Sequence, residues 1–250
     1  MKYVRILRHG APVWGVLSGE TVRTLAAAPY EGLRLDGESL PLERCRLLAP
    51  CEPTKIVCVG KNYYDHAMEL GGKAPDRPIL FLKGLNTLNH PEGAIHAPAF
   101  VGRLDYEGEL AMVVRCRAKD VPPDRFREYI LGFTCLNDVT ARDVQQADGQ
   151  WTRGKSMDGF APVGPLVTDE VDGEDLAIET RLNGRVVQRA RTSAMMTGLG
   201  ELFAFITAAM TLEPGDVVTT GTPAGIGPMV PGDTVEVEVE GVGVLRSHVV

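Results

Sequence analysis

DYEGELAMVVRCRAKDVPPDRFREYILGFTCLND, residues 105–138, holds two short apolar runs, ELAMVVRC and YILGFTCLND, both rich in β-branched or aromatic residues. Turn-forming residues bound each run, which is the signature of a strand rather than a helix. Working outward, PILFLKG (78–84), FAPVGPLVT (160–168), LAIETRLNG (176–184), DVVTTGTP (216–223) and DTVEVEVEGVGVLRSHV (233–249) repeat the pattern. Only GELFAFITAAMTL (200–212) has the spacing of a good amphipathic helix. A doubly wound sheet would alternate strands with helices of about ten or more residues. The chain is therefore expected to be mainly β, an α+β class built on a folded-over sheet.

Towards the N-terminus, YVRIL, VWGVL and TVRTL are separated by turn signals at His9–Pro12 and Ser18–Glu20, and read as antiparallel strands. A linker rich in Pro, Gly and Leu is expected after them, ending near Pro50. KIVCVG (55–60) then reads as a buried strand whose Gly releases the chain into DHAMELGG (65–72), a short helix. This divides the chain into a small β-rich N-terminal domain, residues 1–50, and a main domain, residues 51–250.

The 250 residues are 44% hydrophobic, enough for a real core, and carry a net charge of -7 with Lys and Arg scattered among the acids. That distribution offers no footprint for nucleic acid. No signal-peptide h-region opens the chain and no run reaches about eighteen apolar residues, so neither secretion nor a membrane span is expected. Cys45, Cys51, Cys58, Cys116 and Cys135 form no CxxC pair, and read as reduced thiols of a cytosolic protein.

Glu107 and Glu109 stand two apart on a strand, where such side chains face the same way. Like charges held that close repel unless a proton or a cation lies between them. All-oxygen ligands select a hard ion, and Mg²⁺ needs only two or three carboxylates. Asp138, closing YILGFTCLND, is the candidate third ligand. A solvated strand face with Asp138 in a turn or cap accounts for the same spacing. Spacing alone leaves both open.

His66 and Glu69, three apart in DHAMEL, share a helix face on which the carboxylate can orient the imidazole. A surface pair accounts for them equally well; their place just after a buried strand, where catalytic groups tend to sit, favours an acid–base dyad. GQWTRGKS (149–156) matches the phosphate-loop pattern G-x-x-x-x-G-K-[ST] but lacks the preceding strand and following helix, which Gly159, Pro162 and Pro165 forbid. Lys155, expected in a loop beside a strand, then reads as a cation for developing enolate charge or as a surface lysine. In TTGTPAGIG (219–227), Thr222 sits among glycines that let backbone N–H groups approach a small anion.

Taken together and in order, GKNYYDHAMEL, RPILFLKG, DYEGELAMVV, NDVTARDVQ, GKSMDGFAPVGP and TTGTPAGIG resemble the fumarylacetoacetate hydrolase (FAH) family over roughly residues 50–250. The resemblance implies a mixed β-sandwich roll, a catalytic domain over 51–250, and assembly as a homodimer. It implies that Glu107, Glu109 and Asp138 bind Mg²⁺, Mn²⁺ or Ca²⁺, and that His66 and Glu69 activate water or move a proton. Lys155 would face a bound 2-oxo acid, with Gln145, Thr222 and Lys83 as further substrate-binding residues. Within the family, the text is most similar to bacterial enzymes of aromatic catabolism, which isomerise 2-hydroxyhepta-2,4-diene-1,7-dioate or decarboxylate its tricarboxylate precursor, 5-oxopent-3-ene-1,2,5-tricarboxylate. An acylpyruvate hydrolase or an oxaloacetate decarboxylase would use the same residues, and a non-catalytic metal-binding module is the alternative of another class.

Overall fold

The computed structural model describes residues 1–71 and 73–250, and strands dominate it as expected. The largest sheet has twelve strands. At its centre Gly108–Val114 pairs antiparallel with Ile130–Asn137, setting Gly108 opposite Asn137 and Glu109 opposite Leu136. Ala161–Thr168 flanks Ile130–Asn137 on one side, while Val217–Thr219, Ile56–Gly60 and Ile79–Lys83 continue the sheet on the other.

Every residue of Gly108–Val114 is buried. An apolar run without alternation marks a strand covered on both faces, and here the two parities enter different cores. Leu110, Met112 and Val114 join Ile178, Val237, Val239 and Leu245 between this sheet and a five-stranded one. Ala111 and Val113 join Tyr3, Trp14, Ile56 and Val163 on the opposite face. Glu107 and Glu109 have the parity of Ala111 and Val113.

The five-stranded sheet contains Ala177–Leu182, Arg185–Arg191, Thr234–Val239, Gly243–Val249 and Gly93–Ile95. In Thr234–Val239 the valines are buried and Glu236 and Glu238 less so, giving the period of two that the sequence shows. The expected amphipathic helix is Leu199–Ala209, which buries Leu199, Leu202, Phe203 and Ile206. Burying a side chain such as Leu or Phe stabilises by about 1.5–3 kcal/mol, so this stripe fixes the helix to the sheet.

Two expectations need correction. Residues 26–50 are no linker: Leu35–Pro41 pairs with Thr21–Leu25, and Arg46–Leu48 pairs with Lys2–Arg8. Leu35–Pro41 is nearly all exposed, so it lacks the apolar face that marks a strand in sequence. RDVQQAD forms a helix, Arg142–Asp148, and Lys155 ends a further helical turn, Thr152–Lys155, instead of lying in a loop. Apart from these corrections, Lys2–Arg8 pairs with Ala161–Thr168, through which residues 1–50 and the main part of the chain share the large sheet. All five cysteines are free thiols, with Cys51, Cys58 and Cys135 buried. Among the described residues no helix is long and apolar enough to cross a membrane.

Candidate active site

Antiparallel pairing brings the three acids together. The Asp138 N–H donates to the Glu107 carbonyl (2.8 Å), and the Glu107 N–H donates to Asn137 Oδ1 (2.9 Å), locking the two strand ends in register. Glu107, Glu109 and Asp138 are all buried, and each offers a carboxylate oxygen within 4.8 Å of the others. A solvated strand face is thereby excluded.

Two of the acids have cations beside them. Lys155 Nζ donates to Glu107 Oε2 (2.7 Å) and Asp138 Oδ2 (2.6 Å), while Lys83 Nζ donates to Asp138 Oδ1 (2.5 Å) and the Val139 carbonyl (3.1 Å). Arg142 donates to Glu107 Oε1, to Asp105 Oδ2 (2.8 Å) and to Gln145 Oε1 (2.7 Å). Among the described residues, Glu109 receives only the backbone N–H of Gly221 (2.9 Å). Gly221 has φ +90°, and a Cβ there would lie 2.8 Å from Asn62 Cβ, so only glycine lets the turn press its N–H onto the carboxylate.

The electrostatics follow from that partition. Burial pushes the Glu107 carboxyl up, but Lys155 and Arg142 outweigh it and hold the group well below the usual carboxylate range. Glu109, buried and facing Asp138 and Glu107, is pushed up to about 8. Lys155 loses solvation on burial, yet Asp138 and Glu107 keep its ammonium above the ordinary range. The cluster is thus one cation short at Glu109. Three carboxylates with that deficit could hold a hard divalent ion in place of a proton.

A cavity of about 170 Å³ opens onto this cluster. Glu107, Asp138, Lys155, His66, Gln145 and Thr222 line it, as do Arg142, Lys61, Phe81 and Trp151. His66 is buried on the helix Tyr64–Glu69, with Nδ1 3.2 Å from Glu69 Oε2. The Gly225 N–H donates to both oxygens of Glu69 (3.1 and 3.2 Å), fixing the carboxylate behind the ring. Thr222 Oγ1 donates to the Gly108 carbonyl (2.9 Å). Lys83 and Glu109 do not line the cavity; Lys83 lies behind Asp138.

Gly154, the glycine that completes the phosphate-loop pattern, has another use: a Cβ there would lie 2.8 Å from the Gln145 backbone. It lets Thr152–Lys155 pack against Arg142–Asp148, which sets Lys155 and Gln145 side by side. The strand that follows, Ala161–Thr168, takes the place where a phosphate loop requires a helix.

Arg142, Asp105, Gln188 and Asn62 escaped the sequence reading. Gln188 Nε2 donates to Thr222 Oγ1 (2.8 Å) while its Oε1 accepts from the Gly108 N–H (3.0 Å), so it ties two site segments together. Asn62 does the same for the Ile56–Gly60 strand end. The R in NDVTARDVQ, three residues before Gln145 at helical spacing, was the available signal for Arg142.

The chain is similar to known proteins over its whole length. Residues 55–250 match the family described as fumarylacetoacetate (FAA) hydrolase, C-terminal, and residues 1–50 match one described as Rv2993c-like, N-terminal. The crystal structure of 2-hydroxyhepta-2,4-diene-1,7-dioate isomerase from Mycobacterium marinum is 42% identical, with a TM-score of 0.93 over 100% of this chain and 98% of that one. Oxaloacetate tautomerase Fahd2a of Rattus norvegicus is 38% identical over 223 residues, 84% of this chain and 71% of that protein. Fumarylpyruvate hydrolase from Pseudomonas aeruginosa, solved with Mn²⁺ and pyruvate, is 28% identical with a TM-score of 0.75 over 82% of this chain and 91% of that one. Isomerases, tautomerases and hydrolases are thus its enzyme relatives, and the chain belongs to the fumarylacetoacetate hydrolase family.

Proposed function

We propose that this chain is a divalent-cation-dependent enzyme that enolises a 2-oxo acid, most simply an isomerase of the 2-hydroxyhepta-2,4-diene-1,7-dioate type or a related decarboxylase. The observation that carries the reading is Glu109: a buried carboxylate with two acids beside it and, among the described residues, no cation bonded to it. Glu107, Glu109 and Asp138 fit a hard ion such as Mg²⁺ or Mn²⁺, which when bound supplies Lewis-acid stabilisation of an enolate.

The chain's own residues supply the rest. Lys155 adds a fixed positive charge where the enolate oxygen develops, in a site too buried for water to screen it. His66, oriented by Glu69, gives or takes the proton at the carbon next to the carbonyl. Gln145 and Thr222 hold the substrate, with Arg142 fixing Gln145. Lys83 holds Asp138 in place rather than touching substrate. The cavity of about 170 Å³ falls below the roughly 300–1,000 Å³ of drug-sized sites and suits a small acid.

The test is a panel of the hydroxydienedioate, oxaloacetate enol and acylpyruvates, each with Mg²⁺, Mn²⁺ or EDTA, with products identified. Isomerised or tautomerised product only with metal supports the reading. Cleaved acids would favour the acylpyruvate hydrolase alternative, carbon dioxide from oxaloacetate a decarboxylase, and no turnover a non-catalytic module. The free cysteines accord with a reducing cytoplasm. Sedimentation tests the homodimer that belongs to this reading.

A further inference from the structure

Gln188 is buried on Arg185–Arg191, an edge strand of the five-stranded sheet, and both ends of its amide are in use. Its Oε1 accepts from the Gly108 N–H (3.0 Å), while Nε2 donates to Thr222 Oγ1 (2.8 Å) and to the Pro223 carbonyl (2.8 Å). These partners allow the amide one orientation, because a backbone N–H can only donate and a backbone carbonyl can only accept. The approach requires glycine at 108: a Cβ there would lie 2.1 Å from Oγ1 of Thr180, the residue paired opposite Gln188.

The segment that Gln188 grips carries backbone donors to both halves of the site. The Gly221 N–H donates to Glu109, and the Gly225 N–H to both oxygens of Glu69. Up to Gly221 the segment is tied elsewhere: the Thr220 N–H and Oγ1 both donate to the Leu110 carbonyl (3.2 and 2.8 Å), and Asn62 Nδ2 donates to the Thr220 carbonyl (2.9 Å). From Thr222 to Gly225 the hold passes to Gln188. Its side chain takes Thr222 and Pro223, and its strand takes Gly225, where φ is +100° and a Cβ would lie 2.3 Å from the Val187 carbonyl oxygen. The carboxylate behind His66 is thus fixed by a turn seated on Gln188.

We propose that Gln188 is a positioning residue for proton transfer: by seating Thr222–Gly225 it keeps the Gly225 N–H on Glu69, and through Glu69 it sets the orientation of the His66 imidazole. The inference rests on the reading above, in which His66 moves the proton. A carboxylate that orients an imidazole is itself held by hydrogen bonds, and loss of such outer partners typically costs about 10- to 100-fold in activity. Because the Gly221 end has its own ties, the effect falls on the dyad and not on the three acids.

A double-mutant cycle with Glu69→Ala tests this, using the compound of the panel above that the parent turns over, at saturating Mg²⁺. Gln188→Met keeps the shape and removes the amide; Gln188→Glu keeps an acceptor for the Gly108 N–H while losing the two amide donors, and serves if the first variant does not fold. The expected result is a kcat lowered by about 10- to 100-fold with KM and Mg²⁺ affinity within about threefold, and a further loss below about threefold in the Glu69→Ala background. Hydrogen exchange at the Gly225 amide should speed by about tenfold while the Leu199–Ala209 helix keeps its protection, a readout independent of activity. The same fold-loss in both backgrounds, no loss in the parent background, or unchanged Gly225 exchange overturns the role of Gln188 and leaves the enolising reading intact. A parent that turns over none of the compounds overturns both.

Discussion

If Glu109 keeps its proton up to about pH 8, a divalent cation must displace that proton in order to bind. At pH 7 a group with that pKa is about 90% protonated, so binding should release about 0.9 proton, falling to about 0.1 at pH 9. Affinity for Mg²⁺ should rise about tenfold per pH unit below 8 and flatten above it. Glu107 adds nothing to the slope, since Lys155 and Arg142 already keep it ionised. The folding linkage has a definite sign. A raised folded-state pKa contributes stability that is present below the ordinary carboxylate range and lost as pH rises through about 8. Chelator-treated protein should therefore lose Tm over that window, and Mg²⁺ should restore it more at pH 8 than at pH 6. Calorimetry of Mg²⁺ binding in two buffers of different ionisation enthalpy counts the protons directly. Release below about 0.2 proton at pH 7, or an affinity that is flat between pH 6.5 and 8, would refute the reasoning.

Lys155→Met removes the ammonium between two buried carboxylates, a change that typically costs about 3–5 kcal/mol. For a chain of this size that is a loss of about 6–20 °C in Tm in EDTA, and Mg²⁺ should recover a larger share of it than it adds to the parent; a loss under about 2 °C would show that the ammonium does not hold the acids together. His66→Ala should slow proton transfer by about 10²- to 10⁴-fold while leaving Mg²⁺ affinity within a few-fold, whereas an unchanged rate removes the dyad from the mechanism.

The parts of the site that depend on local period were legible in sequence. Glu107 and Glu109 are two apart on a strand, and His66 and Glu69 three apart on a helix, so each pair shares a face by backbone geometry alone. What spacing could not tell was whether those faces are wet or buried. That depends on Asn137 and Asp138 arriving from a strand about thirty residues on, and on Gly221 arriving more than a hundred residues on. Gln188 escaped notice for the same reason, because its partners Gly108 and Thr222 are remote in the chain. Arg142 was hidden by its company, since RDVQQAD reads as a polar surface segment until its burial against Asp105 and Glu107 is seen. Leu35–Pro41 reads as linker in sequence because an exposed edge strand carries no apolar alternation.

The most direct test of the account is exchange of the C3 protons of a 2-oxo acid with deuterium oxide, followed by proton NMR on chelator-stripped enzyme before and after Mg²⁺ is restored. The account predicts slow exchange without metal, fast exchange on add-back, and no recovery in Glu107→Ala. Exchange that is equally fast in EDTA, or that Glu107→Ala supports as well as the parent, would contradict it.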